Sequence, residues 1–173
     1  MDTSSWVFGY GSLIWRADFP WLERQPATLS GWARRFWQGS HDHRGVADAP
    51  GRVVTLVRAP DETCLGVAYR VESRVFDHLD QREKNGYERA EVSLTLTNGE
   101  DVDGVVYIAP IDNFAFLGDA PLAEMARQIQ NSTGPSGRNI DYLIELANAL
   151  RDMGAEDPHV FALEAAAREV RHP

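Results

Sequence analysis

The residue of this sequence best suited to move a proton is Glu83. In the stretch Val75-Phe76-Asp77-His78-Leu79-Asp80-Gln81-Arg82-Glu83-Lys84-Asn85-Gly86-Tyr87, the residues Phe76, Leu79 and Glu83 recur at helical spacing, and Asn85-Gly86 reads as a helix stop. Glu83 is therefore expected to point with apolar side chains toward the core or a cleft. It also falls in the last helical turn, where the helix dipole disfavours negative charge. Burial and dipole both raise a carboxyl pKa toward neutrality, which a general base or acid needs. A structural ion pair, with Arg82 or a distant arginine, is the alternative that the same residues allow.

A second candidate is Val7-Phe8-Gly9-Tyr10-Gly11-Ser12-Leu13, where two glycines flank a tyrosine just after an apolar run. Glycine lets backbone amides approach a ligand without a Cβ in the way, so the segment reads as an anion or oxyanion cradle. A plain strand-to-loop turn is the alternative. Ile14 stands where a dinucleotide fingerprint would need its third glycine, and Gly11-Ser12-Leu13 lacks the context of a hydrolase nucleophile elbow.

Arg34-Arg35, set among Trp32, Phe36 and Trp37, offers planar forks for an anionic small molecule, or else an edge strand with snorkelling arginines. His41-Asp42-His43 is a His-x-His pair, but His78, His159 and His172 add no ligand spacing and Cys64 has no partner, so no metal is expected. In Gly134-Pro135-Ser136-Gly137-Arg138-Asn139, Ser136 or Asn139 is expected to cap the following helix and to face a cleft.

The elements that must position these residues divide along the chain. Trp6–Phe8, Val53–Val57 and the alternating Leu65, Val67, Tyr69 and Val71 read as strands; Val92, Leu94 and Leu96 read as one arm of a hairpin that turns at Asn98-Gly99 and returns through Val105–Ile108. Leu122–Ile129 and Ile140–Ala147 carry helical periodicity, and Asp157-Pro158 reads as an N-cap with a first-turn proline. Strands first and helices last predict an α+β domain, a small sheet or barrel packed by helices, filling residues 1–173 as one unit. The net charge of -9 argues against nucleic acid. No apolar run is long enough to span a membrane, no secretory leader is visible, and one cysteine suits a reducing compartment, so a cytoplasmic location is expected.

Together these segments resemble the ChaC family of glutathione-specific γ-glutamylcyclotransferases. The matching pieces are residues 6–15, Arg34–Ser40, Asp42–Gly45, Pro50–Leu56, Gly66–Arg70, Arg82–Tyr87 and Gly134–Gly137, in the family's order. The resemblance implies a small mixed β-barrel flanked by helices, with the loop Val7, Phe8, Gly9, Tyr10, Gly11, Ser12 and Leu13 holding a γ-glutamyl group and Glu83 accepting a proton. It implies that glutathione is cleaved to 5-oxoproline and cysteinylglycine without a cofactor, and Arg35 and Arg44 are the candidate counter-charges for its carboxylates. His78 departs from the pattern, which has an aromatic residue there. A cyclotransferase for other γ-glutamyl amino acids or amines, or a γ-glutamyl-binding regulatory module linked to cation transport, stands beside this reading. Oligomeric state is not legible.

Overall fold

In a computed structural model, residues 3–83 and 86–171 are described. Lys84 and Asn85 of the Glu83 motif, and His172, lie outside them. The chain divides into two compact units, residues 1–33 with 56–113 and residues 34–55 with 114–173.

Five strands, β1 (Ser4–Gly9), β2 (Glu23–Ser40), β3 (Gly51–Glu72), β4 (Glu88–Leu96) and β5 (Asp101–Ile108), form a closed barrel in the order β1-β3-β2-β4-β5. In the first unit β1 runs antiparallel to β3, with Ser4 opposite Glu72 and Gly9 opposite Val67. β4 and β5 make the expected hairpin, Glu88 opposite Ile108. The barrel closes where β1 runs parallel to β5, Val7 beside Val105, so the sheet is mixed. Alternation explains the core: Val7, Val67, Tyr69, Val71, Leu94 and Val106 are all buried, and Leu79 of helix α1 (Val75–Arg82) joins them.

The sequence reads Val53–Val57 and Leu65–Val71 as two strands, whereas β3 is one strand of 22 residues. Its middle, Pro60 to Thr63, is exposed and polar, which imitates a turn.

The second unit contains α2 (Leu122–Asn131), the two-residue strands β6 (Thr133–Gly134) and β7 (Gly137–Arg138), α3 (Asn139–Asp152) and α4 (Pro158–Arg168). Ile129, Leu143, Leu146, Leu150 and Leu163 are fully buried there. Asp157 caps α4 as expected, its side chain accepting from the Val160 amide at 3.1 Å. The expected cap on α3 is absent. Arg138 holds the N-cap position without a side-chain bond, and Asn139, wholly buried, instead bridges the backbone of Arg52, accepting from its N–H and donating to its carbonyl at 2.8 Å each. Asn139 therefore faces the core, not a cleft. No helix among the described residues is long and apolar enough to cross a membrane.

Candidate active site

Two sequence-predicted segments meet in the first unit. β1 buries Val7 and Phe8 on its two opposite faces, and the chain then folds back into a short 3₁₀ turn, Ser12–Ile14. Gly9 makes that reversal possible, because a Cβ there would lie 2.7 Å from the Leu13 Cβ. The loop is pinned from several sides. The Tyr10 hydroxyl donates to the Tyr107 carbonyl at 2.5 Å, the Tyr69 hydroxyl to the Leu13 carbonyl at 2.6 Å, and Arg24 Nη2 to the Ile14 carbonyl at 3.1 Å. These bonds fix the shape of the turn.

Glu83 ends α1. Its amide donates to the Leu79 carbonyl at 2.9 Å, which continues the helical bonding past Arg82. The side chain is only 19% exposed. Burial pushes its pKa up; the neighbouring Arg82 guanidinium pulls down and Asp18 adds to the rise. The expectation from helical spacing therefore holds for Leu79 and Glu83, while Phe76 is half-buried with the Arg89 guanidinium over its ring at 5.2 Å.

Arg82 joins the two segments. Its Nη1 donates to Asp18 Oδ1 at 2.7 Å and its Nη2 to Ser12 Oγ at 3.3 Å, while Nε stands 3.9 Å from Glu83 Oε1. The structural alternative for Glu83, a pair with Arg82, thus exists only as a long contact beyond hydrogen-bond reach. Two further groups escaped the sequence reading. Tyr107, whose hydroxyl burial and Asp80 hold well above the usual phenol range, donates to Asp80 Oδ1 at 2.6 Å. It stands in the apolar run Val105–Ile108, where nothing separates it from core. Asp18 follows the loop among mostly apolar residues, Trp15 to Leu22, that show no regular pattern.

Arg35 and Arg44 belong to the second unit. Arg35 Nη1 donates to the Arg34 carbonyl at 2.8 Å and its guanidinium lies over Trp37. Arg44 is buried over the Tyr142 ring and donates to the Arg138 carbonyl at 3.2 Å. Arg34 and Arg35 do not act as one fork: neighbours on a strand point to opposite faces, and Arg34 is buried against Asp157 at 3.1 Å. In the barrel order β2 lies between β3 and β4, and it meets β4 at Ala27 and Thr28. His43 is bonded to Ser136 Oγ at 3.1 Å, and the His41 ring packs by Phe114. Among the described residues no three His, Cys, Asp or Glu side chains gather where a metal ion could be held. The Gly134–Gly137 motif is explained by packing: a Cβ on Gly134 would meet the His43 carbonyl at 2.3 Å.

A family model described as ChaC-like protein matches residues 5–170. Gamma-glutamylcyclotransferase 2-3 of Arabidopsis thaliana is 47% identical over 180 residues, covering 96% of this chain and 88% of the relative. Glutathione-specific gamma-glutamylcyclotransferase 1 of Danio rerio is 40% identical, covering 95% of this chain and 89% of its own. Among solved structures, a yeast γ-glutamyl cyclotransferase specific to glutathione superposes with a TM-score of 0.90 at 33% identity over 98% of each chain. A match of this extent, together with the same barrel, assigns the chain to the ChaC-like family.

Proposed function

We propose that the protein is a glutathione-specific γ-glutamylcyclotransferase, with Glu83 as its proton-transfer group. The observation that carries this reading is a half-buried carboxylate of raised pKa joined, through Arg82, to the glycine turn. The names of the zebrafish and yeast relatives support glutathione as the substrate.

The α-amine of the γ-glutamyl unit attacks its own γ-carbonyl, a C–N bond forms to close the lactam, and the amide C–N bond to cysteinylglycine breaks. Products are 5-oxoproline and cysteinylglycine, and the balance needs no cofactor. With an α-amine pKa of about 8, only about a tenth of the substrate is nucleophilic at pH 7. Glu83 takes the ammonium proton and gives it to the leaving nitrogen, and the second proton, lost by the ring nitrogen as the lactam forms, passes through the same carboxylate to the released amine. Amides of the Tyr10–Ser12 turn receive the oxyanion, and the loop from Val7 to Leu13 folds the substrate so that amine and carbonyl touch. A cytoplasmic location completes the proposal, supported by Cys64 being the only cysteine.

The test is Glu83→Gln, which keeps size and hydrogen-bonding reach but cannot take a proton. Release of 5-oxoproline should fall about 10²- to 10⁴-fold, in kcat and not in KM. Glutathione binding by calorimetry should persist. Normal release by the folded variant sinks the assignment. Glutathione and γ-glutamylalanine assayed side by side separate this enzyme from a broader cyclotransferase, and binding without any release would favour a regulatory module.

A further inference from the structure

We propose that Arg82 is a positioning residue for the reaction, anchoring the γ-glutamyl loop at Ser12, and that Asp18 is the counter-ion that keeps its charge off Glu83. The inference rests on Glu83 being the base. Three nitrogens of one guanidinium address three partners at graded distances: 2.7 Å to Asp18 Oδ1, 3.3 Å to Ser12 Oγ and 3.9 Å to Glu83 Oε1. The close, charge-assisted bond goes to Asp18, and Glu83 is left without one. Had the fork closed on Glu83, the carboxylate would be held ionised and its pKa driven down, which ruins a base meant to pick up a proton near neutrality. The directions in which the two neighbours act agree: Arg82 pulls the Glu83 pKa down and Asp18 pushes it up.

Asp18 also ties the loop to α1 a second time, since its Oδ2 faces His78 Nε2 at 3.4 Å. Asp80, on the same helix, is engaged by the Tyr107 hydroxyl and by Arg89 at 3.5 Å. Among the described residues, the charged groups that act on Glu83 are Arg82 and Asp18, with His78 behind Asp18.

The test measures the pH dependence of kcat/KM and, separately from activity, the carboxyl carbon-13 titration of Glu83 by NMR. Both are run in a His78→Gln background so that the imidazole does not titrate in the same window. Asp18→Asn frees the guanidinium for Glu83, so the acidic limb and the Glu83 titration should move down by about one pH unit or more. Arg82→Met should move both upward and, with Ser12 unanchored, raise KM for glutathione. Arg82→Lys keeps the charge without the fork; it should restore the position of the limb but not KM. Asp18 is half-exposed, so Asp18→Asn is expected to fold even if Arg82→Met does not. A Glu83 titration that Asp18→Asn leaves in place, in an enzyme that Glu83→Gln still kills, overturns this inference alone. An acidic limb that survives Glu83→Gln overturns the assignment of the base instead.

Discussion

A carboxylate buried in the fold is held against its own solvation, and Glu83 should show that in stability. Its folded pKa is raised, chiefly by burial. A raised acid pKa means that the folded state binds the proton more tightly than the unfolded state. Stability from this group is therefore fully present below the unfolded value of about 4.3 and is lost as pH climbs through the folded value. Glutamine mimics the protonated form at every pH. Glu83→Gln is expected to melt at a higher temperature than the parent protein at pH 7, with the gap closing at about pH 4. The ion-pair reading forecasts the reverse, a variant weakened by roughly 3–5 kcal/mol through a stranded arginine. Calorimetric melting of both proteins at the two pH values decides it, and a lower melting point at pH 7 would return Glu83 to a structural role. At this scale the sequence was informative where a role depends on near neighbours. The burial of Glu83 was legible because helical spacing sets it beside Leu79, a few residues away. Asp18 and Tyr107 were not, since their partners Arg82 and Tyr10 lie far along the chain.

Among the elements, β1 delivers the loop, and β3 sets how closely β1 can be approached. Gly66 is the contact that decides this: a Cβ there would lie 2.3 Å from the Gly9 carbonyl and 2.7 Å from Phe8 Cζ. The first obstacle is backbone, which cannot turn aside as a side-chain tip would. Gly66→Ala must therefore displace the end of β1 and with it the turn at Tyr10. Forcing an extra carbon into a filled core costs roughly 1–3 kcal/mol. Urea unfolding should show a loss of that size, and KM for glutathione should rise because the loop moves; a variant with unchanged midpoint and KM would separate the loop from β3. Hairpin β4–β5 and helices α2 to α4 were readable from periodicity and turn chemistry alone. The continuity of β3 was not, because Pro60 and the exposed residues after it have the composition of a turn. The α3 start was misread for a related reason: asparagine is a good cap, yet the two backbone groups of Arg52 compete for Asn139 and win in a buried setting.

For the whole molecule, the division into two units raises the question of whether they fold separately. Neither unit is a continuous piece of chain; the path passes between them after Ala33, after Thr55 and after Asn113. Domain linkers are exposed, polar and poor in contacts. Two of these passages are the opposite. The first lies inside β2, where Ala33 and Arg34 are 4% and 3% exposed, and the second inside β3, where Thr55 and Leu56 are 0% and 2% exposed. A segment of either unit cannot melt without fraying strands whose other halves belong to the other unit. We therefore propose that residues 1–173 behave as one domain and unfold in a single transition. The expected result is coincident midpoints by far-ultraviolet dichroism and by fluorescence of the five tryptophans, with the calorimetric enthalpy equal to the van't Hoff enthalpy. Glutathione binding to Glu83→Gln should raise that single midpoint without splitting it, because a ligand of the folded state stabilises the whole cooperative unit. Two transitions, with only one of them shifted by glutathione, would show instead that the units unfold independently and that the site resides in the one that moves.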